Sequence, residues 1–334
     1  MSVISRVLSK AAVSKMLKIS LSIAVVYLLF AAALIYWPST PAFEVQGVAN
    51  AGPLPVVGEP VKIQARDNTM LFAQQFGVQS DTVAIWLHGI TSESSDHAKG
   101  AAAFHAATGA LVLVIDQRGH ARSGGEPYDI DYIGQYEDDV EDWMVWASAR
   151  FGDPRIILVG HSMGGGVLAR YALKDAAPEP DGYLLLAPSF GEAPTQREDS
   201  GDGPDLSHWV HFRTPRLFGL LMLNVVGITA LDSLPLMSFN EPTGVSQYSY
   251  RATMSGQPIR PLTAYIALQG IKAPLLVVVG ADDEVFVADA YADFVAQHSA
   301  GETVVLPDLD HNQVVDDPAA IAVMSAWFER VTSP

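Results

Sequence analysis

The pattern of apolar and polar positions changes character along the chain. Residues 19–37, ISLSIAVVYLLFAAALIYW, carry no charge and leave no polar face, which predicts a helix apolar on every side. At a rise of ~1.5 Å per residue such a helix reaches about 28 Å, close to the hydrocarbon thickness of a bilayer. Residues 38–60 hold five prolines and three glycines and keep neither a helical nor a strand period, as expected of a linker. Beyond them the pattern alternates. Short β-rich apolar runs at residues 82–87, 110–115, 155–159, 183–186, 275–279 and 303–306 predict strands, with helix-like stretches between several of them. In one of these, Ile133, Tyr136, Val140, Met144 and Ala147 recur at three- and four-residue steps, and Asp131 is placed to cap it. Residues 61–66 and 69–76 add a leading antiparallel hairpin. Strand, helix, strand in repetition implies right-handed crossovers and a mostly parallel sheet with helices on both faces.

One interval breaks the alternation. Residues 191–270 separate two strands that should be neighbours in chain order, so an insertion is expected there. Its start, GEAPTQREDSGDGPD, is acidic and rich in Gly and Pro. Its middle, residues 217–230, is a nearly continuous apolar run too short to span a membrane. That run suggests a lid helix over a pocket, a face that touches lipid, or simply the packing of the insertion on the main domain. The chain therefore divides into a basic N-terminus (1–18), a transmembrane anchor (19–37), a linker (38–60), a core (61–190 and 271–334) and a cap (191–270).

Charge sharpens this picture. The chain of 334 residues carries 20 Lys+Arg against 37 Asp+Glu. Arg6, Lys10, Lys15 and Lys18 precede the first acid, Glu44, which leaves 16 cations and a net charge of −21 for the remainder. A surface that negative repels phosphate backbones and excludes nucleic acid as a partner. The cations ahead of the apolar segment predict a cytoplasmic N-terminus, with everything after Trp37 on the other side of the membrane. The alternative is a secreted product after cleavage near residues 40–42. With no cysteine, disulfides, thiolate zinc sites and cysteine nucleophiles are excluded.

Gly160-His161-Ser162-Met163-Gly164 directly follows a predicted strand and precedes the helix-like residues 165–174. G-x-S-x-G needs glycine on both sides of the serine because the serine sits in a crowded strand-to-helix turn. A serine hydroxyl needs a base, and the base needs an orienting acid. Of nine histidines, His311 is best placed, in a short loop after the strand at 303–306; His97, His105, His208, His211 and His298 fit surface or supporting roles better. Asp282 and Asp283 end the strand at 275–279, on the sheet edge where ligands collect in open α/β sheets. Either carboxylate would serve. The order Ser162, acid, His311 matches the triad order of this fold class.

These motifs resemble the α/β-hydrolase family, over roughly residues 60–332, and within it the lysophospholipase and monoacylglycerol lipase branch. The resemblance implies an α/β-hydrolase fold with residues 191–270 as its cap, Ser162 as nucleophile in the elbow Gly160, His161, Gly164, and His311 as base. Counting from Gly280 as that family does, it favours Asp283 as the acid, with Asp282 as the alternative. Trp86-Leu87-His88-Gly89-Ile90 resembles the oxyanion segment, implying the backbone N–H groups of Ile90 and Met163 as oxyanion donors. The segment from Asp116 to Ser123 resembles D-x-R-G-x-G-x-S, except that Ala121 stands where glycine is usual. No metal or organic cofactor is implied. The expected activity is hydrolysis of small-molecule or lipid esters; the alternatives are an aminopeptidase-like hydrolase, with Glu192, Glu198, Asp199, Asp202 or Asp205 to hold an α-ammonium, and an inactive membrane-anchored interaction module.

Overall fold

The computed structural model describes residues 10–44, 54–191, 194–197, 205–242, 244–259 and 264–333. A long helix, α1 (Lys10–Ile35), precedes a hairpin of β1 (Glu59–Gln64) and β2 (Met70–Phe76). Then come β3 (Thr82–Leu87), α2 (Ala98–Thr108), β4 (Leu111–Asp116), α3 (Gln135–Phe151), β5 (Arg155–His161), α4 (Met163–Tyr171) and β6 (Gly182–Leu186). The insertion contributes β7 (Val210–Phe212), α5 (Thr214–Val225), β8 (Pro235–Glu241), β9 (Gly244–Ser249), α6 (Tyr250–Ser255) and α7 (Ala264–Gly270). The chain closes with β10 (Leu275–Gly280), α8 (Ala290–His298), β11 (Glu302–Leu306) and α9 (Pro318–Thr332).

One sheet has the order β1-β2-β4-β3-β5-β6-β10-β11. The leading hairpin pairs antiparallel and joins β4 antiparallel, while β4, β3, β5, β6, β10 and β11 run parallel. Every residue of β3, β4 and β10 is buried, so both faces of the sheet are covered. That is why these strands read as unbroken Val, Ile and Leu runs: there is no solvent face to keep polar. Helix α2 packs on α9 through an edge-to-face contact of Phe104 and Phe328, with centroids 5.5 Å apart. Between α3 and α4, Arg170 Nε meets Glu137 Oε1 at 2.7 Å, both side chains buried.

The insertion holds more than the one helix read from its apolar run. Strands β7, β8 and β9 form a separate antiparallel sheet, and α5 occupies most of the apolar run at 217–230. A second core joins Leu220, Leu223, Leu236, Tyr250, Met254 and Ile259 of this insertion to Ala31 and Ile35 of α1. Ala31 and Ile35 are 0% and 1% exposed, in a helix whose other apolar residues lie mostly in the open.

Three local expectations change. Helix α1 starts before residue 19 and stops at Ile35, leaving Tyr36 and Trp37 exposed beyond its end. Asp131 does not cap α3: Gly134, at φ +107°, precedes that helix, and the Asp131 N–H donates to Gln135 Oε1 at 2.6 Å. The end of the linker is tied down, with the N–H groups of Val57 and Gly58 both donating to Gln74 Oε1 at 2.7 and 3.0 Å.

The seam between α1 and α5 depends on a missing side chain. A Cβ on Gly219 would stand 2.7 Å from the Ala31 carbonyl oxygen and 2.6 Å from Ile35 Cγ1. In an open helix Gly→Ala stabilises by roughly 1 kcal/mol. Here Gly219→Ala is expected to lower the melting temperature of the purified chain, and a rise measured by calorimetry would show that the seam yields.

Candidate active site

Strand β5 passes into α4 through one residue, Ser162, whose φ of +51° and ψ of −115° lie where side chains rarely go. The turn closes because its flanks have no Cβ. One on Gly160 would lie 2.7 Å from the Gly164 carbonyl, and one on Gly164 would lie 2.6 Å from Leu87 O. The Ser162 N–H donates to Leu186 O at 2.9 Å, and its carbonyl accepts from Ser189 N at 2.9 Å and Gly166 N at 3.1 Å. The strained residue is thus held on both sides.

Parallel pairing sets Leu87 beside Gly160, which brings His88, Gly89 and Ile90 against the elbow. A Cβ on Gly89 would come within 3.2 Å of Ser162 Cβ. Among the described residues no hydrogen-bond partner takes the backbone N–H of Ile90 or of Met163. Met163 opens α4, where the first N–H groups lack partners within the helix and the dipole end is positive.

Strands β10 and β11 also pair in parallel, Gly280 opposite Leu306, so the loops that follow them leave from one edge of the sheet. On those loops His311 Nδ1 lies 2.9 Å from Asp283 Oδ2. A carboxylate only accepts, so the proton sits on Nδ1 and the Nε2 lone pair is left free. Asp283 Oδ1 accepts from Val285 N at 2.8 Å and Phe286 N at 2.7 Å, so three donors hold a fully buried carboxylate. Asp282 is exposed and does not meet His311; its backbone N–H donates to Leu309 O at 3.0 Å. The His161 ring ties the two halves of the site together, donating from Nε2 to the His311 carbonyl at 3.0 Å. Among the described residues no hydrogen bond joins Ser162 Oγ to His311, and such contacts commonly tighten only with substrate bound.

Sequence reasoning placed His161 in the elbow, His88 in the oxyanion segment and His97 in a surface or supporting role, but did not read the row they form with His120. His88, His97, His120 and His161 are buried and pack ring to ring, with centroids between 5.0 and 6.5 Å apart in the order His120, His88, His97, His161. His88 donates from Nδ1 to Gly89 O at 2.7 Å and accepts from Gln117 N at 3.0 Å. On β9 of the cap, Tyr248 accepts the Thr91 N–H at 2.8 Å and lies 2.8 Å from His120 Nε2. His120 Nδ1 faces Arg118 O at 2.9 Å, which makes Nδ1 the donor and Nε2 the acceptor for the Tyr248 hydroxyl. The cap therefore grips the residue after Ile90.

In the segment from Asp116 to Ser123, Arg118 meets Asp139 at 2.6 Å and Asp67 at 2.7 Å. Ala121 adopts φ +43°, the left-handed region in which the usual glycine would be unstrained. His105 binds its own helix end through Ala110 O, His211 meets Ser39 Oγ at 3.0 Å, and His208 is exposed. His298 stacks near Tyr265 and Phe294. Of the acids considered for an α-ammonium site, Glu192, Glu198, Asp199 and Asp202 lie outside the described residues. Asp205 is exposed and accepts from Ser207 N at 2.9 Å.

Burial holds His88 down to about 4 and both His97 and His120 to about 3, and pushes His161 well below the ordinary range, so this row stays neutral. Below about pH 6.5 the unfolded chain takes up protons that the folded chain refuses until about pH 3–4. Stability present above that window is lost as pH falls through it. Substituting His97→Phe, whose ring can keep the edge contact with Trp86, should flatten the acid slope by up to ~1.4 kcal/mol per pH unit. Denaturant titrations at pH 7, 6 and 5 measure the slope; parallel slopes for variant and parent would refute it.

The sequence profile of the Hydrolase_4 family, described as serine aminopeptidase, S33, matches residues 79–318. A monoacylglycerol lipase of Mycolicibacterium smegmatis is 35% identical over 96 residues, 28% of this chain and 32% of that protein, so this match spans about a third of the relative's length. A non-heme haloperoxidase of Rhodococcus erythropolis is 27% identical over 269 residues, covering 75% of this chain and 92% of that protein. Among solved structures, a membrane phospholipase A described as a bacterial virulence factor superposes with a TM-score of 0.58 at 16% identity, over 96% of this chain and 98% of that one. With its sheet order, its elbow and a profile match over most of its length, this chain belongs to the Hydrolase_4 family, described as serine aminopeptidase, S33, and has the α/β-hydrolase fold.

Proposed function

We propose that this hydrolase is a serine esterase acting on lipid-like acyl esters, of lysophospholipid or monoacylglycerol type. The observation that carries the reading is the pairing of His311 with the buried Asp283 at the sheet edge where Ser162 sits in its strained turn. In the proposed reaction His311 Nε2 takes the Ser162 proton as the hydroxyl attacks the ester carbonyl. Asp283 holds the ring tautomer and stabilises the imidazolium. The free N–H groups of Ile90 and Met163 receive the oxyanion; one such donor is worth about 3–4 kcal/mol of barrier in comparable enzymes. His311 then protonates the leaving alcohol, and water, activated by the same nitrogen, releases the acid and restores Ser162. None of these steps calls on a metal or cofactor.

Ser162→Ala should remove fluorophosphonate labelling and lower ester turnover by several orders of magnitude with the fold intact by circular dichroism. Activity within about tenfold of the parent would end the assignment. Asp283→Asn should cost far more turnover than Asp282→Asn, and the reverse ranking would move the role to Asp282. Running aminoacyl amides beside the acyl esters tests the peptidase alternative.

The same reading makes α1 a membrane anchor. Within it, Val13–Ile35 is 23 residues long with a mean hydropathy of 2.2 and is 11% buried over its most apolar window. Lys15 and Lys18 at its start, with Arg6 and Lys10 before them, orient the N-terminus to the cytoplasm and the catalytic domain outward. Cleavage near Ala42 would strip Ala31 and Ile35 from the core of the cap, which favours an anchor that is kept. A protease outside the membrane should then reach the domain beyond Ala42, and mass spectrometry of the purified protein should find Met1–Lys18. A soluble product beginning near Phe43 would establish secretion instead.

A further inference from the structure

Helices α1 and α5 touch at three levels, and the contacts run in opposite senses along the two helices. Arg216 Nε donates to Ile35 O at 3.1 Å, at the end of α1. One turn along α5, Gly219 lies against Ala31 and Ile35. Further on, the Tyr27 hydroxyl donates to Met222 O at 2.7 Å. As α5 proceeds from residue 216 to 222, its partners step back along α1 from residue 35 to 27. The eight residues between Tyr27 and Ile35 rise ~12 Å, most of the hydrocarbon depth of one leaflet.

The far end of α5 suits such a place. Phe218, Val225, Val226 and Ile228 are 55%, 82%, 53% and 37% exposed, side chains that water would disfavour. The helix terminus is closed without solvent: Ile228 N donates to Leu223 O at 2.9 Å and Gly227 N to Asn224 O at 2.9 Å, with Gly227 at φ +79°. The Asn224 side chain donates to Leu220 O at 3.1 Å and Asp232 Oδ1 at 2.8 Å. A backbone turn lowered into hydrocarbon must satisfy its polar groups in this internal way. The cations of the region, Arg213 and Arg216, lie at the opposite end of α5, level with Ile35, where an interface would sit.

We propose that the C-terminal half of α5, with Val225, Val226 and Ile228 at its tip, is inserted among the acyl chains of the leaflet that surrounds the end of α1. The cap is then a second membrane contact beside α1. This rests on α1 spanning the bilayer, and the test separates the two ideas. The chain has no cysteine, so single-cysteine variants of the full-length protein accept one environment-sensitive fluorophore each. Val225→Cys and Phe218→Cys report on α5, Val26→Cys on α1, and Val78→Cys, 86% exposed in the loop after β2, on the aqueous side.

In phosphatidylcholine vesicles doped with doxyl-labelled lipid, labels at 225, 218 and 26 should be quenched several-fold more than the label at 78. Quenching at 26 with the label at 225 behaving as that at 78 would overturn the insertion of α5 and leave the anchor standing. A label at 225 shielded from aqueous iodide yet untouched by doxyl lipid would assign the face to another protein surface, such as a second copy, and overturn the proposal equally. Failure at both 26 and 225 would remove the anchor and the proposal together.

Discussion

Everything at the site depends on backbone meeting backbone where β3, β5 and α4 converge. Gly164 has no room for even a methyl group against Leu87 O, and Gly160 none against Gly164. That closeness turns the chain sharply enough to project Ser162 from the sheet edge, and it brings the open end of α4 beside the open loop after β3. The cost is a serine in a strained conformation, of order 1–3 kcal/mol, offset by the ladder and the three hydrogen bonds that pin its peptide groups. The strain is stored where Ser162 and every residue of α4 are buried.

Desolvation is the second organising effect. The imidazoles beneath the elbow are held neutral by burial, which lets them act as packed spacers without placing positive charge behind His311. A charged neighbour there would resist the imidazolium that the proposed reaction forms. Asp283 stands apart from this row, with three donors around it. The candidate site thus sets a neutral floor of imidazoles beside the hydrogen-bonded carboxylate of Asp283.

Much of this was legible in the residues. The parallel strands showed as apolar runs because both their faces are covered, and residues 82–87 coincide with β3 to the residue. Asp283 and His311, which the structure brings within 2.9 Å, could be picked out because each lies in a loop that follows a strand. The sheet of the cap was not read, since Pro235–Glu241 and Gly244–Ser249 pair only with each other and with a strand of three residues, leaving a period too short to stand out. Asp131 misled because its spacing fits a cap while Gly134 supplies the conformation that starts the helix. Nor could any local pattern show that Tyr248 reaches Thr91, a contact 157 residues long in sequence. Asp282 and Asp283 are adjacent and chemically alike, and only the direction of the loop separates them.

The docking of α1 on α5 bears on how the chain matures. Its hydrogen bonds join residues 181 and 195 positions apart, so the core of the cap cannot close until most of the polypeptide has been made. Contacts of such long range form late and slowly. Helix α1 therefore waits, with the small face of Ala31 open, for a helix synthesised long after it. Until the two meet, Leu220 and Leu223 lack the cover of Ala31 and Ile35, and the nascent cap is served by a chaperone or by a surface that occupies their place.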